Sequence, residues 1–390
     1  MRNTIPHLIW MYCLATSCTQ EKEHQITLAK DKRSIIFTLS ANLNLKHSSQ
    51  LAYWNDSVNN KEMFYLLNES NSIINAFESN EYTIINYKKY DYKFLFPNTQ
   101  TIPAGFTFLS KDSLLFLSGQ NNEFCISNAS LKPCVRWRVK QSIHPFNIYL
   151  YTAFQPLYYK NGFIYSLLDP SIGNVIVDEE KINQVYKVPN GAATKLYDTS
   201  FLKNDIGKYP SLFSSKHSYN TTNSTYCVSS AGDAVFSFGD FPELYMYHSD
   251  GSVSKAEARS RYHQPPQEFP FEKYTDYRYL REYKLRNSEY GNIFYDPYRH
   301  VYLRVYEHGT VGRLGATPID DFSKKPWSLM ILDDDLDVLN EIKFSYAYNP
   351  KSILVTRRGI LISPTRPGLV SYRPKHISFQ LFVYKQAEQP

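Results

Sequence analysis

An all-β fold is predicted by three features of this 390-residue sequence. Turn residues cut the chain into short runs that alternate apolar and polar side chains or are apolar throughout, the pattern of strands. The 33 tyrosines and 24 phenylalanines fall largely in these runs beside β-branched neighbours, which suits a half-buried pleated surface. The runs also gather into six groups: KEMFYLLN, SIINAFES and EYTIINYKK; FTFLS, SLLFLSG, EFCISN and CVRWRV; LYYKNG, FIYSLLD and INQVYKV; STYCVSS, DAVFSFG, ELYMYHSDG and SVSKAEA; NIFYD, HVYLRVYEHG, WSLMILDDD and DVLNEIKF; SILVTRRG, ILISP and ISFQLFVYK. Units of three or four strands, spaced by roughly 45 to 70 residues, read as propeller blades. A lone twisted sheet leaves both faces wet, whereas radial packing buries each face on a neighbour. The expected architecture is a six-bladed β-propeller of four-stranded antiparallel blades, with a β-sandwich pair as the alternative. RSIIFTLSANLN, near the N-terminus, belongs to no group and is expected to pair into the last blade and close the ring.

The first residues stand apart from this pattern. Arg2 precedes an apolar run from Ile5 to Ala15, small Thr16 and Ser17 lead into Cys18, and polar, charged chain follows. This resembles a bacterial lipoprotein signal peptide, with Ala15 where the lipobox usually carries leucine and Leu14 one place early. The resemblance implies cleavage before Cys18 and a diacylglycerol group on its thiol. A transmembrane helix is the other reading, but about eleven apolar residues fall well short of the ~20 needed to span a bilayer. The expected organisation is a signal peptide over 1–17, a lipidated tether over 18–30 and the propeller over 31–390.

The 43 basic and 37 acidic residues are interleaved and leave a net charge of only +6. That is no phosphate-binding stripe, so nucleic acid is not an expected partner. The densest basic stretch, Arg278 to Arg286 in YRYLREYKLRN, also carries Glu282, Tyr279 and Tyr283, and reads as a solvated face. Of five cysteines, Cys13 leaves with the signal peptide and Cys18 is acylated. Cys125 and Cys134 flank the turn-rich ISNASLKP, where a disulfide could form in an oxidising compartment. Cys227, in TYCVSS, reads as a buried core residue.

Familiar catalytic motifs are missing: no G-x-S-x-G, H-E-x-x-H, C-x-x-C or phosphate loop occurs. The glycines of GTVGRLG, Gly309 to Gly315, read as a loop between two strands of the fifth group. Asp333, Asp335 and Asp337 alternate as in a calcium loop, but Val338 replaces the turn glycine and Phe344 the bidentate glutamate. A hairpin turn is the better reading, and no metal or other cofactor is expected.

The richest constellation is YDPYRHVYLRVYEH, residues 295 to 308. Strand alternation puts Val301, Leu303 and Val305 on one face and His300, Tyr302, Arg304 and Tyr306 on the other. These last four are the candidate ligand-binding residues, with Arg304 and His300 directed into the central channel or its mouth. The competing structural reading has Arg304 tie two blades together through a carboxylate, because a buried charge must be paired.

With the lipobox start and the six groups, the passages YGNIFYDPYRHVYLRVYEHG and WSLMILDDDLDVLNEIKF are similar to the uncharacterised Bacteroidetes lipoproteins that carry a six-bladed, TolB-like propeller. The resemblance implies that fold and an envelope location; it implies no activity and carries over no catalytic residue. Surface-exposed members often have an acidic export signal after the lipidated cysteine, and TQEKE, with Glu21 and Glu23, is similar to it. The expectation is an outer-membrane lipoprotein facing outward, a periplasm-facing anchor being the alternative. Its expected role is a binding or scaffold module for a glycan, a peptide or an envelope protein. A propeller lyase or glycoside hydrolase is the rival, and a purely structural subunit a third reading; fold alone does not choose among them.

Overall fold

The computed structural model describes residues 26–38, 49–56, 59, 61–68, 73–81, 83–91, 94–96, 103–118, 123–128, 130–139, 149–150, 157–169, 191–197, 203–208, 224–265, 267–270, 273, 276–310, 325–364 and 376–386. The signal peptide, Cys18 and the run INQVYKV lie outside them. The strands are β1 (Ile26–Thr38); β2 to β5 (Ser49–Asp56, Lys61–Asn68, Ile73–Asn80, Thr83–Asp91); β6 to β9 (Pro103–Ser110, Ser113–Ser118, Glu123–Asn128, Pro133–Arg138); β10 to β14 (Tyr149–Leu150, Tyr158–Lys160, Phe163–Asp169, Gly191–Lys195, Lys203–Ile206); β15 to β18 (Ser224–Val228, Ala234–Phe238, Glu243–Tyr247, Val253–Glu257); β19 to β22 (Glu289–Asp296, Val301–Glu307, Trp327–Leu332, Val338–Phe344); and β23 to β25 (Ile353–Thr356, Gly359–Ile362, His376–Gln386). A helix, α1 (Tyr277–Arg286), precedes β19.

Five four-stranded sheets have the orders β2-β3-β4-β5, β6-β7-β8-β9, β15-β16-β17-β18, β19-β20-β21-β22 and β1-β25-β24-β23. Strands β10 to β14 make a five-stranded sheet in which β10 and β11 both pair with β12. All these pairings are antiparallel. One strand of each sheet touches its counterpart in the next: β2 lies beside β6, β6 beside β11, β11 beside β15, β15 beside β19, β19 beside β23, and β23 beside β2. Sheets set around an axis in this way form a β-propeller.

The core explains the sequence pattern. Apolar clusters sit between consecutive sheets, including one between the sheet of β15 to β18 and that of β19 to β22, and one between the last sheet and the first. Middle strands therefore bury both faces and read as continuous apolar runs, as in β16 (AVFSF) and β21 (WSLMIL). Outer strands such as β9 and β18 are largely exposed and polar.

The N-terminal run pairs with the last strand as its sequence predicts. β1 joins β25 from Ile26 opposite Gln386 to Thr38 opposite His376, with a bulge between Lys30 and Ser34. The bulge takes main-chain groups out of the ladder, and the Gln380 amide donates to the Asp31 and Arg33 carbonyls at 2.6 and 3.0 Å. Phe37 then seals the seam, packing on Phe64, Phe77 and Phe379 at centroid separations of 5.3, 4.8 and 5.7 Å. Because pairing begins at Ile26, residues 26–30, expected in the tether, belong to the sheet.

Three local expectations are corrected. YRYLREYKLRN is a helix, not merely a solvated face: Asp276 caps it by accepting from the Tyr279 amide at 3.0 Å, and Tyr283 and Leu285 are buried, Tyr283 edge-on to Phe269 at 5.0 Å. The sheet of β10 to β14 takes its outer strands from GAATK and KNDI, which carry no apolar alternation. Cys125 and Cys134 are free thiols, Cys125 buried and Cys134 exposed. The register sets Cys125 opposite Arg136, and Cys134 falls beside a break in the ladder, so the two are not the directly facing pair a cross-strand disulfide requires.

Candidate functional site

Antiparallel order puts the connections β18–β19, β20–β21 and β22–β23 at one end of the fifth sheet and the turns β19–β20 and β21–β22 at the other. The candidate residues of the 295–308 stretch separate accordingly. His300 lies in the β19–β20 turn with φ +53°, exposed, its Nδ1 3.2 Å from the Tyr295 hydroxyl. Tyr302, Arg304 and Tyr306 alternate on β20 toward the preceding sheet, with Val301, Leu303 and Val305 toward the following one. Tyr302 is 2% exposed and Arg304 0%. The four do not form one ligand site, because β20 is second in its sheet and both its faces are covered.

Arg304 is a cross-link between blades, made without the expected carboxylate. Its Nη1 donates to the carbonyls of Pro242 and Ala258 at 2.7 and 2.9 Å, its Nη2 to that of Phe241 at 2.8 Å, and its Nε to Ser237 Oγ at 3.0 Å. The Tyr290 ring covers the guanidinium, 3.7 Å from its centroid. Burial pushes the arginine down to about 9, which still leaves it charged at neutral pH. At the opposite end, Arg299 bonds Asp296 at 2.9 Å and donates to the carbonyls of Thr356 and Arg357 at 2.9 and 2.6 Å, joining the fifth sheet to the last.

What the structure does assemble is the segment Ala258–Gln264, which leaves β18 at the end that also carries α1. Side chains of the next blade hold it. Glu341, 5% exposed, accepts from Ser260 Oγ and the Arg261 amide, both at 2.7 Å, and from Ser328 Oγ. Tyr306 Oη accepts from the Gln264 amide at 3.0 Å and donates to the Tyr262 carbonyl at 3.2 Å. Tyr290 Oη accepts from the Ser260 amide at 3.2 Å and lies 3.2 Å from His263 Nδ1. Arg261 and Tyr262 are exposed and His263 is half-buried.

A second histidine completes the cluster. The His308 ring lies edge-on to Tyr262 and Tyr306 at centroid separations of 4.7 and 5.4 Å, and its Nε2 is buried with no hydrogen-bond partner among the described residues. The Lys343 ammonium stands 5.4 Å from the centre of the Tyr262 ring. Nearby, buried Lys325 bonds Glu289 at 3.3 Å and the Lys284 carbonyl at the end of α1 at 3.0 Å, a favourable place for a cation. Gly309 permits this approach: a Cβ there would stand 2.1 Å from the Arg286 carbonyl oxygen.

Both histidines are held below the usual imidazole value of 6.5. Burial is the main cause, followed by Arg259 and Arg304 at His263 and by Lys343 at His308, where Glu341 opposes. The unfolded chain therefore binds protons that the folded chain refuses. The stability this contributes is complete above about pH 6.5 and is lost as pH falls toward the folded values. The melting temperature is expected to drop between about pH 7.5 and 5.5, and less in a His263→Asn, His308→Gln double variant; equal drops in both proteins would disprove the assignment.

Among the described residues no group of three His, Cys, Asp or Glu side chains could hold a metal ion. The Asp333 carboxylate instead closes the β21–β22 turn, accepting from the amides of Asp335 and Asp337 at 3.1 and 2.8 Å. Sequence reading found Tyr306 but missed Ser260, Tyr262, His263, Tyr290, His308 and Glu341. The usable signal was the long break between SVSKAEA and NIFYD, one of two such breaks between the groups.

The chain is thus a β-propeller with one interblade connection enlarged and pinned to the next blade. It belongs to the family described as Domain of unknown function (DUF4221), whose pattern residues 97–343 match. Its fold is similar to the crystal structure of a DUF4221 member from Bacteroides vulgatus, with TM-score 0.74 and 18% identity over 94% of this chain and 100% of that one. A weaker likeness, TM-score 0.39 and 8% identity over 90% and 99% of the two chains, relates it to virginiamycin B lyase from Staphylococcus aureus. Regucalcin from Agrobacterium tumefaciens stands at TM-score 0.41 and 8% identity over 90% and 96%. No curated protein matches the sequence.

Proposed function

We propose that this protein is a binding module of the bacterial envelope, a six-bladed propeller held to the outer membrane by a lipid on Cys18, with its recognition surface at the end that carries Ala258–Gln264. The observation behind this reading is the loop itself. Its amides at Ser260, Arg261 and Gln264 are taken by buried or half-buried side chains of the next blade, so Arg261, Tyr262 and His263 are offered to solvent from a fixed backbone. A preorganised backbone that presents exposed side chains is what a recognition surface needs. The six-blade reading takes the five-stranded sheet as the third blade, and the contacts of β11 with β6 and with β15 support it. A glycan, a peptide or an envelope protein fits such a surface.

Anchor and surface are tested separately. The Cys18→Ala variant should leave the membrane fraction and appear soluble; continued membrane association would refute the anchor. In a thermal-shift series with glycans and peptides, a ligand that stabilises the protein should lose its effect in Tyr262→Ala, whose unliganded melting temperature stays near the parent's because the ring is exposed. An undiminished shift in that variant would place recognition elsewhere.

A further inference from the structure

We propose that Lys343 and His308 form a carboxylate subsite at the edge of this loop, for an acidic ligand whose body packs on the Tyr262 ring; the inference rests on the reading of this end as the recognition surface. Three observations meet here. The Lys343 ammonium forms no ion pair among the described residues, and its neighbour is the Tyr262 ring at 5.4 Å. The His308 ring packs edge-on to Tyr262, and its buried Nε2 has no hydrogen-bond partner among the described residues, which is costly for a buried polar atom. Among the described residues, the charged groups that face His308 are Lys343 and Glu341 from β22 and Lys325 just ahead of β21. Glu341 is committed to Ser260, Arg261 and Ser328, and Lys325 to Glu289 and the Lys284 carbonyl. Lys343 is left as the exposed, uncommitted cation.

In the complex the Lys343 side chain swings off the Tyr262 face and meets one carboxylate oxygen, and the exposed Tyr262 side chain turns enough to uncover His308 Nε2, whose N–H donates to the other. The ring face that Lys343 vacates receives the apolar side of the ligand. A neutral ligand would leave Lys343 on the ring and His308 unmet. A bound carboxylate would raise the His308 pKa, so by linkage affinity should increase as pH falls through its titration.

The test follows the His308 imidazole by nitrogen NMR in the full-length protein during titration with glucuronate, N-acetylglycine and glucose. Both carboxylates are expected to raise the His308 pKa, with binding about tenfold weaker or worse in Lys343→Ala. A response to glucuronate alone supports the subsite with a sugar acid as its ligand, and a response to N-acetylglycine alone supports it with a peptide carboxylate. No response to either, a response to glucose as large as to glucuronate, or responses unchanged in Lys343→Ala would each overturn it. A glycan or peptide whose binding is lost in Tyr262→Ala while His308 ignores both carboxylates would remove the subsite and leave the proposed function standing.

Discussion

Arg304→Met is expected to be the most damaging single substitution described for this protein, at about 3–5 kcal/mol of folding stability. Methionine fills much of the same volume, so packing alone would predict a mild effect. The loss comes from what remains: the carbonyls of Pro242, Phe241 and Ala258 keep their burial and lose their charged donors. Denaturant unfolding followed by far-ultraviolet circular dichroism measures the change, and a midpoint within error of the parent would refute the cross-link. Lysine at the same position should rescue little, because a single ammonium cannot reproduce donors fixed in a planar fork.

Phe37→Ala is expected to cost about 3–5 kcal/mol through the cavity it leaves among Phe64, Phe77 and Phe379. Its position on β1 gives the effect a signature beyond its size. β1 is the edge strand of its sheet, with β25 as its one ladder partner among the described residues, so loosening this seam should raise amide exchange in β1 and β25 before the sheet of β15 to β18 responds. Uniform exchange across both regions would mean that Phe37 supports the fold generally rather than the closure.

The propeller was legible because packing between blades imposes a rule on sequence. A strand such as WSLMIL must be apolar on both faces, while HVYLRVYEHG shows which side chains go to which neighbouring sheet. Where strands are short and built of small or polar residues, as in GAATK and KNDI, the ladder is held by main-chain bonds that leave no side-chain pattern. The helix of YRYLREYKLRN was hidden by its tyrosines, which favour strands locally but here bury one side against Phe269. The candidate site was legible only in Tyr306. Arg304 announces itself as a charge in an apolar strand, yet its partners are main-chain carbonyls, which any sequence could supply. His308 packs on Tyr262, next to His263 in the chain, because β18–β19 and β20–β21 share an end of the sheets, a fact of topology that spacing does not encode.

The seam between β1 and β25 also sets an order of events. Of the described strands, the one synthesised first pairs with the one synthesised last, and Gln380 reaches the Asp31 carbonyl across 349 residues of chain. Contacts so distant in sequence form late, after the entropy of closing the loop has been met. Until β25 leaves the ribosome, β1 has no partner, β23 and β24 lack a third strand, and the apolar faces destined for the seam stay open to water. The ring therefore completes in one terminal step rather than blade by blade. A polypeptide that must pass a membrane as an extended thread, as the proposed anchor requires, is served by that delay: its native state is out of reach until β25 has been made.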